Sequence, residues 1–181
     1  MHKKAVFLDR DGTVIVDTEF SVDLAKLCPL PGTMEGLRKL QAAGYLLVVV
    51  TNQSGAARGK FDEAGLVAFH RHMDAWFRER GIAFAGFYYC PHYPDSTLEK
   101  YAFACGCRKP EPGMLLRAAK DLGIDLARSW MIGDRDADIG AGQRAGCHTF
   151  RIGESAEGDP DADYAAEDLD GAAEIILAEG H

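Results

Sequence analysis

The sequence predicts an α/β fold built on a doubly wound parallel sheet, and three observations carry this prediction. Short runs rich in β-branched and aromatic residues alternate with longer segments of helical periodicity. The run YLLVVVT at 45–51 is almost uninterrupted Leu and Val, which is typical of a strand buried on both faces. Gly44, Gly81, Gly123 and Gly146 stand where helices should end. Alternation of this kind places helices against a parallel sheet.

The predicted elements follow one another regularly along the chain. Strands are predicted at 5–9, 45–51, 84–90, 129–134 and 147–152, with helical patterns at 32–44, 61–81, 112–123 and 137–146. Two segments do not fit the alternation, 17–31 and the cysteine-rich 90–107, and both are expected as loops over the active face. The last thirty residues are acidic and end in a weakly amphipathic helix, for which solvated surface is expected.

Length and charge bound the function. The 181 residues suit one domain, 1–181, which includes the cysteine-rich loop at 90–107 and is expected as a monomer. A net charge of −8 argues against nucleic acid as a partner. No apolar run approaches the roughly 18–20 residues that a membrane span requires. The start, MHKKAVFLDRDG, lacks the long apolar core of a secretory signal, so the cytoplasm is the expected location.

Polar residues follow three of the predicted strands at the points where these strands end. Ligands of open α/β sheets bind beyond the carboxyl ends of the strands, so these residues are candidates for one site. They are Asp9 and Asp11 after the first strand, Thr51, Asn52 and Gln53 after the second, and Asp134 after the fourth.

Asp9 and Asp11 in VFLDRDGTV point in the same general direction, because side chains alternate along a strand. Two such carboxylates resist ionising together unless a cation lies between them, and Mg²⁺ takes oxygen ligands while leaving room for a phosphate. One carboxylate can serve as nucleophile and the other as general acid and base. The alternative is an ordinary strand-to-turn junction with solvated acids.

Four ordered segments resemble the signature motifs of the haloacid dehalogenase superfamily of phosphatases, namely LDRDGT, VVVTNQSG, RKPEPGM and IGDRDADI. The resemblance spans about residues 4–150 and implies that Asp9 attacks phosphorus and forms an aspartyl-phosphate. It implies that Asp11 protonates the leaving alkoxide and then activates water, and that Mg²⁺ binds Asp9, the Asp11 backbone carbonyl and Asp134. The phosphoryl group would be held by Thr51, Asn52 and Lys109.

Three cysteines and a histidine form the pattern C-x-H-x12-C-x-C at Cys90, His92, Cys105 and Cys107. Thiolates and imidazole bind Zn²⁺ tetrahedrally, and four protein ligands make a closed, structural site. A disulfide pair and chance clustering of thiols are the alternatives. Metal binding would stabilise a loop that has little apolar surface, and would position Arg108 and Lys109 over the phosphate site. Cys28 and Cys147 are interpreted as small buried hydrophobes.

Within the superfamily, DRDGT, TNQSGAARGKF, YYCPHYP and CGCRKPEPGML closely resemble the D-glycero-D-manno-heptose 1,7-bisphosphate 7-phosphatases, small bacterial enzymes without a large cap domain. The resemblance implies hydrolysis of the C7 phosphate of a phosphorylated sugar that serves lipopolysaccharide-core or S-layer heptose synthesis. It also implies substrate contacts from the stretch Asp17 to Phe20, from the strand-end residues Asn52 and Gln53, and from Ser54, Arg108 and Arg135.

Other functions stay open at this point. The nearest is histidinol-phosphate phosphatase, whose family has a similar zinc loop. A phospho-receiver domain normally carries its phosphoacceptor on a later strand, and a metal-binding scaffold without catalysis is the remaining alternative. His70 and His72 lie on the second predicted helix, one expected at the surface and the other partly buried, and neither carries a predicted role.

Overall fold

The computed structural model describes residues 3–153 and 161–180, and these form one six-stranded sheet with helices on both faces. The strands are β1 (Ala5–Leu8), β2 (Leu46–Asn52), β3 (Phe84–Cys90), β4 (Trp130–Gly133), β5 (His148–Ile152) and β6 (Tyr164–Ala166). The helices are α1 (Thr33–Ala42), α2 (Glu63–Arg78), α3 (Gly113–Leu122), α4 (Asp136–Ala145) and α5 (Leu169–Glu179). The predicted fold class is confirmed.

The strand order is β3-β2-β1-β4-β5-β6, and every neighbouring pair is parallel. The chain therefore builds one half of the sheet outward from β1 and the other half outward from β4. The switch between the halves lies between β1 and β4, and ligands of doubly wound sheets bind at such a crevice. The strand ends that sequence analysis singled out belong to β1, β2 and β4, which are neighbours.

The central strands are buried on both faces, as their continuous apolar sequences predict. One core contains apolar side chains of α1, α2 and α5, and the other contains those of α3 and α4. Helix α2 shows how its pattern produces this packing. Its start is capped by Asp62, which accepts from the Gly65 N–H, and Leu66, Phe69 and Met73 recur at helical spacing on the buried face.

The carboxyl-terminal region differs from the expectation of solvated surface. β6 extends the sheet, and α5 buries Leu169, Ala172, Ala173 and Ile176 in the core that α1 also covers. The two helices can approach closely because Gly36 of α1 has no Cβ. A Cβ at this position would collide with the Leu169 backbone carbonyl. The acidic stretch 154–160 lies outside the described residues. Among those described, no helix is both long and apolar enough to cross a membrane.

Candidate active site

The polar residues at the strand ends meet at one edge of the sheet. β1 pairs with both β2 and β4, and the Asp9 N–H donates to the Ile132 carbonyl of β4 at 3.0 Å. An open cavity of about 720 Å³ lies beyond this edge. Its lining comprises Asp9, Asp11, Asp17, Glu19, Phe20, Thr51, Asn52, Gln53, Ser54, Arg58, Lys60, Arg108, Lys109, Arg135, Ala137 and Asp138.

Lys109 is the centre of a buried ion network at the floor of this cavity. Its Nζ donates to Asp9 Oδ1 at 2.8 Å and to the Val50 carbonyl at 2.7 Å, and it lies 2.6 Å from Asp138 Oδ1. Burial alone lowers the pKa of Lys109, but the carboxylates of Asp138 and Asp9 outweigh burial and raise it above its usual value. The two carboxylates therefore favour the charged form of this ammonium group, which is fixed beside Asp9.

Asn52 fixes the backbone of Lys109. The Asn52 side chain donates through Nδ2 to the Lys109 carbonyl and accepts at Oδ1 from the Lys109 N–H, both at 3.0 Å. Both the nitrogen and the oxygen of this amide thus bond to Lys109, which is 57 residues away in the sequence. Asn52 thus braces Lys109, while its direct phosphoryl or substrate contact, expected from the resemblance, stays a prediction.

Asp11 faces the cavity and is held by two neighbours. Arg10 donates through Nε to Oδ1 at 3.0 Å and through its terminal nitrogen NH2 to Oδ2 at 2.8 Å. Gln53 Nε2 donates to Asp11 Oδ2 at 2.8 Å and to Thr51 Oγ1 at 2.9 Å. Arg10 is almost completely buried, and its third nitrogen, NH1, lies 3.1 Å from His70 Nε2. Neither Arg10 nor His70 carries a role predicted from the sequence.

Three carboxylates form a candidate metal centre, since oxygens of Asp9, Asp134 and Asp138 all lie within 4.8 Å of one another. Gly12 makes room for Asp134: it adopts φ +81°, and a Cβ there would collide with the Asp134 carboxylate. Burial, and then the charge of Asp9, raise the pKa of Asp134. A divalent cation relieves such repulsion, and an all-oxygen donor set is the one that Mg²⁺ prefers. The residues present fit the predicted magnesium.

The second side of the cavity is formed by the segment after β1. Arg135 donates to Asp17 Oδ2 at 2.9 Å and lies 3.6 Å from Asp134 Oδ2. Phe20, with φ +63°, places its ring 5.2 Å from the Arg58 guanidinium. Arg135 is thus shared between two acids, whereas Arg58 lies against aromatic faces at the rim. Cation–π contact orients a guanidinium without neutralising it.

The four predicted zinc ligands converge. The sulfurs of Cys90, Cys105 and Cys107 lie 3.0 to 3.4 Å apart, and His92 Nδ1 lies 3.6 Å from Cys90 Sγ and 3.3 Å from Cys107 Sγ. All three cysteines are free thiols, so the disulfide alternative is wrong. Burial raises the pKa of Cys90, while at Cys105 hydrogen bonds from Cys107 outweigh burial and lower the pKa to about 7. Three sulfurs and one imidazole nitrogen fit tetrahedral Zn²⁺.

The cysteine-rich loop contacts the cavity in two ways. Arg108 NH1 donates to the His92 carbonyl at 3.2 Å, which links the basic pair directly to a zinc-ligand residue. Ser96 Oγ donates to the Ala57 carbonyl at 2.6 Å, and Tyr101 OH donates to Glu63 Oε1 at 2.9 Å. The loop therefore buttresses both the basic pair and the segment that follows β2.

The cavity brings together every residue predicted for catalysis or substrate contact: Asp9, Asp11, Asp17, Phe20, Thr51, Asn52, Gln53, Ser54, Arg108, Lys109 and Arg135. Asp134 joins the carboxylate cluster beside it. Cys147 is buried as predicted, but Cys28 is exposed, so its interpretation as buried is wrong. The sequence prediction missed Arg10 and His70. The sequence feature that could have indicated Arg10 is its position between the two aspartates. For His70 the sequence offers only its position on the buried face of a helix.

Comparison with known proteins agrees with this geometry. The family described as HAD-hydrolase-like matches residues 106–174. The D-glycero-β-D-manno-heptose-1,7-bisphosphate 7-phosphatase of Photorhabdus laumondii is 47% identical over 137 residues, covering 76% of this chain and 73% of the relative. The enzyme of that name from Vibrio cholerae is 46% identical over 149 residues, covering 82% and 80%.

A solved structure gives the same result for the fold. The D,D-heptose 1,7-bisphosphate phosphatase of B. bronchiseptica, complexed with magnesium and phosphate, matches with a TM-score of 0.82 at 35% identity. The match covers 98% of this chain and 99% of that one. The structural likeness therefore includes the whole sheet and the two loops 17–31 and 90–107, in addition to the four signature motifs.

Proposed function

The chain belongs to the family of D-glycero-β-D-manno-heptose-1,7-bisphosphate 7-phosphatases, and on this basis we propose that it hydrolyses the C7 phosphate of that sugar bisphosphate. It is a phosphoric monoester hydrolase, and heptose 1-phosphate and inorganic phosphate are the products. The relatives' names support the β anomer as substrate. The observation that carries the proposal is the buried contact of 2.8 Å between Lys109 Nζ and Asp9 Oδ1 beside a cluster of carboxylates.

Asp9 is the nucleophile of the proposed reaction. A carboxylate oxygen attacks the C7 phosphorus, the bond from phosphorus to the sugar oxygen breaks, and an aspartyl-phosphate forms. Lys109 orients Asp9 and offsets the negative charge between nucleophile and substrate. Thr51, whose hydroxyl lines the same cavity, supports the transferring group as a hydrogen-bond donor.

Asp11 is the proposed general acid and base. It gives its proton to the departing sugar oxygen, so that the leaving group departs as an alcohol. In the second half of the cycle the Asp11 carboxylate takes a proton from water as the water oxygen attacks phosphorus, and the bond to Asp9 breaks. The carboxyl group ends in the state in which it began, as a catalyst must.

Mg²⁺ would be held by Asp9, the Asp11 backbone carbonyl and Asp134, and would supply positive charge that stabilises the equatorial phosphate oxygens. Zn²⁺ would be held by Cys90, His92, Cys105 and Cys107 as a structural ion. The thiols need a reducing environment to stay available, which supports a cytoplasmic enzyme. We further propose that residues 1–181 act as a single-domain monomer.

Substrate recognition is assigned to the cations and polar groups at the rim. Arg108 is supported by its bond to the His92 carbonyl, which fixes the guanidinium near the floor. Arg135 and Asp17 are paired with each other and can contact sugar hydroxyls or the second phosphate. Phe20 and Ser54 line the same space. These groups enclose a phosphorylated sugar without a separate cap domain.

The test is phosphate release from the α and β anomers of the heptose bisphosphate with Mg²⁺, followed by ³¹P NMR. The expected product retains its C1 phosphate and has lost its C7 phosphate, with the β anomer turned over faster. Asp9→Asn should lower kcat by at least roughly 10⁴-fold while circular dichroism is unchanged. Asp74→Asn, a matched change on the outer face of α2, should retain full activity. Residual Asp9→Asn activity within about tenfold of the parent would exclude the assigned nucleophile.

A further inference from the structure

We propose that Arg10 and His70 form a buried positioning relay that orients the Asp11 carboxylate for proton transfer. The inference rests on the acid–base role of Asp11 proposed above. The relay runs from helix α2 through a buried guanidinium to the one carboxylate of the cavity that must exchange a proton with substrate and water. Neither residue contacts the reacting atoms, so both are positioning residues.

The first contact fixes the plane of the carboxylate. Rotation about the last bond of an aspartate side chain is soft, so Asp11 needs external contacts to hold one orientation. Arg10 provides two parallel bonds, from Nε to Oδ1 and from NH2 to Oδ2, at 3.0 and 2.8 Å. A bidentate pair of this kind fixes both oxygens at once. Asp11 remains 18% exposed at its side chain, so it still faces the cavity.

The second contact fixes Arg10 itself. An arginine side chain is long and has many rotamers. If Arg10 were free to change rotamer, it could not hold the Asp11 carboxylate in one orientation. Its guanidinium lies over the Phe69 ring at 5.0 Å, and NH1 lies 3.1 Å from His70 Nε2. A guanidinium contains only hydrogen-bond donors and no acceptor atom. His70 must therefore accept at Nε2 and carry its own proton on Nδ1. The imidazole is therefore neutral, and the pKa of His70, lowered to about 3 by burial and by Arg10, agrees with this.

The third set of contacts fixes His70 on rigid elements. The residue lies on the buried face of α2, and its ring stacks on Phe87 of β3 at 5.2 Å between centroids. Tyr89 of the same strand lies 5.9 Å away. Arg10 and His70 are thus both buried, and each link from α2 and β3 to Asp11 has a defined geometry, which is the condition for holding a catalytic group in a productive position.

A purely structural role makes a different prediction. If Arg10 and His70 only satisfied a buried charge, their loss would lower stability and slow all substrates alike. Orientation of a general acid matters only when the leaving group needs a proton. An alkoxide leaving group needs one, whereas p-nitrophenolate departs without one. The dependence on leaving group therefore separates a positioning role from a structural one.

The experiment compares His70→Leu, which removes the acceptor, with His70→Gln, whose side-chain oxygen can replace Nε2. Exposed His72 on the same helix gives the matched control, His72→Leu. Two quantities are measured, kcat on the heptose bisphosphate or on fructose 1,6-bisphosphate, and the burst rate of p-nitrophenolate from p-nitrophenyl phosphate. For His70→Leu, kcat on the sugar phosphate should fall roughly 30- to 100-fold, within the range of acid–base catalysis.

The burst rate of His70→Leu should stay within about threefold of the parent, because phosphorylation of Asp9 by an aryl phosphate needs no proton. His70→Gln should recover most of the loss on the sugar phosphate. Arg10→Lys serves if His70→Leu does not fold: it keeps the charge but cannot form the bidentate pair, and should show the same leaving-group dependence. An equal loss on both substrates, or full activity of His70→Leu on the sugar phosphate, would overturn the relay.

Failure of the relay and failure of the proposed function give different results. Parent enzyme without activity on the heptose bisphosphate would tell against the substrate assignment. The ratio of alkyl to aryl activity, measured with fructose 1,6-bisphosphate, would still report on Arg10 and His70.

Discussion

The floor of the cavity and the cysteine-rich loop 90–107 are ordered by different physical means. At the floor, Lys109 and Asp138 are almost completely buried, and strands that are apolar on both faces surround them. The loop has one short 3₁₀ turn, Glu99–Tyr101, and buries a small cluster around Tyr101. Its four candidate zinc ligands and a few hydrogen bonds supply most of its remaining contacts.

Because of this difference, substitutions in the two regions should have different consequences. At the floor, every charge has a partner, so removal of one partner leaves another charge buried and unpaired. In the loop, loss of a metal ligand removes a cross-link while exposed polar groups remain solvated. Changes at the floor should therefore remove activity and stability together, whereas changes in the loop should act on stability and substrate affinity.

The largest effect is expected at the floor for Lys109→Met, which keeps the length of the side chain and removes its charge. The Asp9 and Asp138 carboxylates lose their shared cation, so kcat should fall by about 10³-fold. The free energy of unfolding should fall by roughly 3–5 kcal/mol, as for a broken buried pair. Steady-state kinetics and urea unfolding measure the two quantities. Lys100→Met, an exposed change in the loop, is the control.

A smaller effect on activity is expected in the loop for Cys105→Ser, with exposed Cys28→Ser as control. Loss of zinc should remove about 4 kcal/mol of stability when zinc is roughly 1,000 times its dissociation constant. KM should rise about tenfold, equal to about 1.4 kcal/mol of binding, because Arg108 loses its fixed support. Metal analysis should find one zinc per parent chain. Zinc-free parent with unchanged KM and melting temperature would contradict the assigned site.

The pH dependence of folding stability should report on His70, which contacts Arg10 below the floor of the cavity. His70 is neutral when folded, with its pKa lowered to about 3 by burial and Arg10, whereas in the unfolded chain it protonates near its ordinary pKa of 6.5. Between these values the unfolded chain binds the extra proton, so stability is lost as pH falls below 6.5. By pH 5 this single group should cost about 2 kcal/mol. His70→Gln should flatten the pH dependence by one proton in urea unfolding, and an unchanged slope would contradict a neutral buried imidazole.

The smallest effect is expected where the loop meets α2. Tyr101→Phe removes the hydrogen bond to Glu63 and keeps the ring in its apolar cluster. Stability should fall by about 1 kcal/mol, and kcat should not change. Tyr89→Phe removes the other hydroxyl that bonds Glu63 and provides a matched comparison. A loss of kcat above about tenfold in Tyr101→Phe would show that the loop acts on the floor more strongly than its contacts imply.

Much of the site was readable in the chain because its residues lie at the ends of strands. Asp9, Thr51 and Asp134 follow apolar runs, and parallel strands bring their carboxyl ends to one edge whatever the length of the connections. The candidate zinc ligands were readable for another reason, since thiols and an imidazole at short spacing are a typical donor set for Zn²⁺. The sixth strand was not, because YAA has no apolar run long enough to indicate one.

The fold class, the candidate reacting groups and the candidate metal ligands could be predicted from the chain alone, because they follow from residue type and local spacing. The bracing of the Lys109 backbone by Asn52 and the contact of His70 with Arg10 became evident only in the packed structure. These contacts join residues 57 and 60 positions apart. They depend on strand register and on which face of α2 turns inward, and such long-range geometry is fixed only when the whole core packs.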